Sequence, residues 1–103
     1  MGICENRTVI ITGAARGLGR AYALAFAAEG ANVVVNDIGT SLNGEGRDTS
    51  AADGVVAEII AAGGKAIANY EDITDWDAAK RIVDAAVAAF GDLHVVVNNA
   101  GIV

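Results

Sequence analysis

The chain has 103 residues, enough for one small domain with a modest core. It is 53% apolar and 19% charged, a balance that excludes a disordered chain. Thirteen acidic against seven basic residues give a formal charge of −6, and no basic cluster appears, so the electrostatic footprint of a nucleic-acid binder is absent.

Only 5% of the residues are aromatic, so the core is expected to consist of small aliphatic side chains packed close together. Cys4 is the single cysteine. It cannot form an internal disulfide and lacks metal-ligand spacing, and no metal site is expected. The short polar stretch before the first strand does not read as a secretory signal. No apolar run approaches membrane-spanning length. A cytoplasmic chain without a membrane partner is the expectation.

Residues 8–12 (TVIIT) are a β-branched run, the pattern of a strand buried on both faces. Residues 17–29 follow with Leu18, Ala21, Tyr22, Ala25 and Phe26 at helical spacing, which puts Tyr22 on the buried face. Gly30 stands where a helix C-terminus favours a residue tolerant of positive φ. Residues 33–36 form the second strand. A polar, glycine-rich loop over 39–49 leads to a helix starting at Ser50, with Asp53 three residues on in a capping-box arrangement. Its buried stripe is Ala52, Val55, Val56, Ile59 and Ile60. Gly63 and Gly64 end it, and residues 66–69 read as the third strand.

Thr74 is the predicted N-cap of the next helix, again with an acidic residue, Asp77, three positions on. Ala79, Ile82, Val83, Ala86, Val87 and Phe90 make its apolar face, and Gly91 ends it. Residues 93–97 are the fourth strand, leading into Asn98-Asn99-Ala100-Gly101. The order βαβαβαβ predicts an α/β fold: a doubly wound parallel sheet of strand order 3-2-1-4 with right-handed crossovers. Val95, Val96 and Val97 look like an interior strand, so its outer edge is expected to be covered by further polypeptide or by another chain.

The sharpest motif is Thr12-Gly13-Ala14-Ala15-Arg16-Gly17-Leu18-Gly19, between a strand and a helix. Glycines there let backbone approach a pyrophosphate, and the helix N-terminus offers its N–H groups and positive dipole end to the anion. Gly13 permits the tight turn, Gly17 clears space beside the phosphates, and Gly19 lets the helix lie close on the sheet. The spacing, G-x-x-x-G-x-G, differs from the commoner G-x-G-x-x-G. It is also not a nucleoside-triphosphate loop, which needs Gly-Lys-Ser/Thr. Asp37 follows Gly17 by about twenty residues, at the end of the second strand, where a carboxylate accepts from adenosine ribose hydroxyls and repels a 2′-phosphate. Arg16 would favour a 2′-phosphate. With Asp37 opposing it, NAD is the expected cofactor rather than NADP.

Together the glycine motif, Asp72-Ile73 and Asn98-Asn99-Ala100-Gly101 resemble the short-chain dehydrogenase/reductase family. The resemblance covers nearly the whole chain but only about the first half of the family's domain. Residues 1–103 are thus expected to be the N-terminal part of a single NAD-binding Rossmann domain, cut after the fourth strand. The resemblance implies that Asp72 accepts from the adenine amino group and that Ile73 helps hold the ring. It also implies that Asn98 braces the central strands and that Asn99, Ala100 and Gly101 line the ribose path. The implied cofactor site is Gly13, Arg16, Gly17, Leu18, Gly19, Asp37, Ile38, Asp72, Ile73, Asn99, Ala100 and Gly101. His94 stands where the family often has an acidic residue, and no role is assigned to it. A narrower resemblance runs through Asn36-Asp37-Ile38-Gly39, the loop containing Gly44 and Gly46, and Ala51-Ala52-Asp53. These residues look like the 3-hydroxyacyl-CoA dehydrogenase unit of peroxisomal-type multifunctional β-oxidation enzymes.

The implied activity is hydride transfer between the nicotinamide and an alcohol, ketone or hydroxyacyl-CoA substrate. The family's general acid/base is a tyrosine in a Tyr-x-x-x-Lys pair, with serine and asparagine assisting. Tyr22 is followed four residues on by Phe26, and Tyr70 by Thr74. Neither fits, so no catalytic residue is assigned and the chain alone is expected to turn over nothing. The complete protein is expected to be a homo-oligomer. Two rival readings are a non-catalytic NAD-binding module and a related NAD-dependent epimerase or dehydratase. The Asn-Asn-Ala-Gly turn argues against the second.

Overall fold

The computed structural model describes residues 6–14, 17–37, 50–72 and 75–97. Its elements run β1 (Thr8–Thr12), α1 (Gly17–Ala28), β2 (Asn32–Asn36), α2 (Ser50–Ala61), β3 (Lys65–Asn69), α3 (Trp76–Phe90) and β4 (Val95–Val97). The four strands form one parallel sheet in the order β3-β2-β1-β4. This is the doubly wound order read from the sequence.

Strand periodicity sorts the core into two layers. Val9, Ile11, Val33 and Val35 face one side, where they meet Ala23 of α1 and Ala52, Val55 and Ile59 of α2. Ile10 and Val34 face the other and meet Ile82 and Ala86 of α3. All five residues of β1 are buried, because helices cover both of its faces. The helices present mostly alanine and glycine at their closest approach, with Gly19 and Ala23 buried on α1 and Ala78 and Ala86 on α3. β4 is an edge strand, with Val95 and Val96 exposed at 40% and 54%.

Several boundaries differ from the sequence reading, each for a local reason. β2 and β3 begin one residue earlier, because Asn32 pairs in register with Thr8, and Lys65 with Asn32. α1 stops at Ala28, where the Glu29 N–H is shared between the carbonyls of Ala25 and Phe26 and Gly30 takes φ 93°. β4 is confined to 95–97, and His94 before it bonds β1 through its side chain. α3 starts at Trp76, and its N-cap is Asp75 rather than Thr74, which lies outside the described residues. The Asp75 carboxylate accepts from the Asp77 N–H at 3.0 Å. Gly91, at φ 85°, closes that helix with its N–H on the Val87 carbonyl.

The apolar stripes read from spacing are wider than the faces that the sheet covers. Tyr22 is 40% exposed rather than buried, and Ile60, Val83 and Val87 are also exposed. A helix lying on a flat sheet buries a narrow arc, so only the central residues of each stripe lose their water.

Candidate cofactor site

In a parallel sheet the C-terminal ends of all strands lie along one edge. Thr12 is in register with Asn36, Asn36 with Asn69, and Ile11 with Val97. Gly13, Asp37 and Tyr70 therefore leave their strands at the same level, on neighbours about 4.8 Å apart. Asp72 follows two residues beyond Tyr70. The edge is tied across by the Thr12 hydroxyl, which donates to the Val97 carbonyl at 3.3 Å.

Two glycines of the motif hold left-handed backbone, Gly13 at φ 63° and Gly17 at φ 58°. Among the described residues, a Cβ on Gly17 would meet nothing within 4 Å beyond its own helix and chain neighbours, so they leave open space in front of the first turn of α1. That turn holds no acidic residue, so no carboxylate of its own offsets the positive end of the helix dipole. Arg20, at the end of the same turn, is turned to α2, where it pairs with Glu58 at 2.6 Å. Leu18 is 67% exposed, whereas Gly19 is buried against the sheet. Glycine backbone, open space and a turn without acidic side chains fit a pyrophosphate seated on the helix N-terminus.

Asp37 sits just past β2, its N–H bonded to the Asn69 carbonyl at 3.0 Å. Asp72 follows β3, and its carbonyl accepts from Asp75 N–H, which leads into α3. The structure thus brings Gly13, Gly17, Leu18, Gly19, Asp37 and Asp72 to one edge of the sheet. Arg16, Ile38, Ile73, Asn98, Asn99, Ala100 and Gly101 lie outside the described residues.

Tyr70 is not poised for proton transfer. The Tyr70 hydroxyl donates to the Asp53 carboxylate. That hydrogen bond first, then desolvation and the carboxylate's charge, hold the phenol above its ordinary value. A base working near neutrality needs the opposite shift. Asp53, read from the sequence as part of a capping box, has Tyr70 as a partner, and the Ser50 side chain of that box lies outside the described residues.

Sequence reading missed three polar groups, Asn36 and Glu71 at this edge and His94 at the opposite edge, where β1 begins. Asn36 is 2% exposed, and its side chain bonds Asn69 and the Glu71 carbonyl. Glu71 takes a two-pronged bond from Arg81 of α3, at 2.9 and 3.0 Å. His94 Nδ1 accepts the Thr8 N–H at 3.0 Å, while its own backbone N–H donates to the Thr8 carbonyl. The available signal was a polar residue closing an otherwise apolar buried strand, as in Asn-Val-Val-Val-Asn, since a buried amide demands partners.

The family model of short chain dehydrogenases matches residues 7–103, and the chain belongs to that family. Peroxisomal multifunctional enzyme type 2 of Mus musculus is 55% identical over 98 residues, covering 95% of this chain and 13% of that protein. A crystal structure of a short chain dehydrogenase from Mycobacterium avium superposes with a TM-score of 0.90 at 58% identity, over 100% of this chain and 36% of that one. A short chain dehydrogenase from Mycobacterium paratuberculosis, bound to NAD, superposes with a TM-score of 0.87 at 38% identity, over 99% and 39%. The chain therefore spans well under half the length of each of these relatives.

Proposed function

We propose that this chain is the cofactor-binding part of an NAD-dependent oxidoreductase that interconverts an alcohol and a carbonyl. The observation that carries the reading is the placement on one sheet edge of the left-handed Gly13 and Gly17, the N-terminus of α1 and the Asp37 carboxylate one strand away. In this reading the turn and the helix end bind the pyrophosphate. Asp37 accepts from the adenosine ribose hydroxyls and disfavours a 2′-phosphate, so NAD is preferred over NADP. Asp72 takes the adenine amino group. When bound, NAD⁺ supplies the hydride acceptor. The hydroxyl proton of the substrate must go to a general base that neither Tyr22 nor Tyr70 supplies.

The substrate class we favour is a 3-hydroxyacyl-CoA thioester. The support is the resemblance over Asn36-Asp37-Ile38-Gly39 and the 55% identity to a peroxisomal multifunctional enzyme. Calorimetric titration of the chain with NAD and NADP tests the cofactor assignment, with saturable and tighter binding of NAD expected. Failure to bind either nucleotide would refute it. Sustained NADH formation from a 3-hydroxyacyl-CoA by these 103 residues alone would show that a catalytic base had been overlooked.

A further inference from the structure

Asn36 ends β2 with a buried amide from which three loop segments hang. Its carbonyl accepts the Ala14 N–H at 2.9 Å, which pins the turn after β1. Its Nδ2 donates to Asn69 Oδ1 at 2.9 Å and to the Glu71 carbonyl at 3.0 Å. Asn69 Oδ1 also accepts the Glu71 N–H at 3.0 Å. The Asn69 carbonyl takes the Asp37 N–H. Both hydrogens of one amide and both lone pairs of the other are therefore used, and such a pair has a single orientation.

The segments held are the glycine turn, the backbone of Asp37 and the residue before Asp72. These are the parts that the proposed function places around the adenosine diphosphate half of the cofactor. Resting on that function, we propose that Asn36 and Asn69 are positioning residues that set the discrimination between NAD and NADP. They act through the backbones of Asp37 and Glu71. A carboxylate rejects a 2′-phosphate only while its backbone is held in place, and specificity of this kind is a difference between two affinities. If Asn69 loses its Oδ1, one Nδ2 hydrogen of Asn36 and the Glu71 N–H lose their acceptor. Buried donors do not stay unpaired, so both segments must rearrange toward water.

The experiment compares the wild-type chain with Asn69→Val, Asn69→Ser and Asn69→Asp. The serine variant shortens the acceptor without adding an apolar group, and serves if the valine variant does not fold. The aspartate variant keeps the acceptor oxygen. Dissociation constants for NAD and NADP are measured by calorimetry, and amide hydrogen exchange by NMR without any nucleotide. The expected result for Asn69→Val and Asn69→Ser is a preference for NAD narrowed by about tenfold. Exchange should quicken at Glu71, whose N–H loses its side-chain acceptor, while Asp37, bonded to the Asn69 backbone carbonyl, and Ile10 and Val34 in the core stay protected. Asn69→Asp should keep both the preference and the protection. A wild-type preference for NAD that survives unchanged in Asn69→Val and Asn69→Ser overturns the positioning role alone. So does an equal loss of affinity for both nucleotides, since that is what a purely structural pair would give. Wild-type chain that binds neither nucleotide overturns the cofactor reading, and this proposal with it.

Discussion

Among the described residues, and apart from its chain neighbours and its own helix, alanine substituted at Gly17 meets no atom within 4 Å, and the same holds at Gly91; the two glycines have left-handed backbone at φ 58° and 85°. Neither substitution introduces a steric clash, so its folding cost comes from backbone strain alone. The left-handed region centres near +57°, and a Cβ there costs about 1–2 kcal/mol. The φ of Gly17 matches that centre, so Gly17→Ala should cost about 1 kcal/mol. Gly91 lies farther out and closes α3, so Gly91→Ala should cost about 2 kcal/mol. In a chain of this size each kcal/mol lowers Tm by about 4–8 °C. The order reverses for cofactor binding. The open space beside Gly17 is where the pyrophosphate is proposed to sit, and a methyl group there should weaken NAD binding by about tenfold, or roughly 1.4 kcal/mol. Gly91 lies at the opposite end of its helix from the site edge and should leave affinity unchanged. Urea unfolding followed by circular dichroism gives the first order, and calorimetric titration under conditions where both variants are folded gives the second. Unchanged NAD affinity in Gly17→Ala would refute the phosphate-loop assignment. An equal loss in both variants would show that the binding defect is only a folding defect.

Packing and pairing elsewhere set three further outcomes. A Cβ on Gly64 would lie 2.8 Å from Ile59 Cγ2 and 3.2 Å from the Ile59 carbonyl. Ile59 is buried and its Cγ2 branch sits next to the backbone, so Gly64→Ala should lose about 1–3 kcal/mol by overpacking; an unchanged urea midpoint would show that the turn relaxes freely. Tyr70 has its pKa raised by Asp53, so the folded chain holds the phenol proton more tightly than the unfolded one. That stabilisation is complete below the ordinary phenol value of about 10 and is lost as pH rises through the folded value. Tyr70→Phe should therefore be less stable near neutrality and show a shallower loss above pH ~10, and parallel stability curves for the two proteins would refute the linkage. His94→Ala removes the acceptor of the buried Thr8 N–H and should cost about 1–3 kcal/mol in urea unfolding, whereas His94→Asp, which restores an acceptor, should cost less. Equal losses would mean that the bond to Thr8 is not what His94 contributes.

The order of elements, the parallel sheet and the 3-2-1-4 strand order were legible in the chain. The β-branched run 8–12, the glycine motif and the amphipathic segments are local patterns, and only a few topologies satisfy them. The cofactor candidates were legible for the same reason, since a glycine-rich turn followed by a helix and a carboxylate at the end of the next strand are both features of short segments. The arcs of each helix that lose their water were not legible. Tyr22, Ile60, Val83 and Val87 belong to apolar stripes by spacing, yet how much of each stripe is covered depends on where the helix sits over the sheet.

Side-chain partners were hidden still more completely. Asp53 and Tyr70 are seventeen residues apart, Asn36 and Asn69 thirty-three, and Thr8 and His94 eighty-six. Nothing local tells a strand-ending asparagine that its partner ends the neighbouring strand. Sequence by itself determined which segments are strands and helices and which edge of the sheet carries the glycine turn and Asp37. Only the tertiary structure decided which polar groups hold that edge in place, because parallel pairing joins residues that the chain keeps far apart.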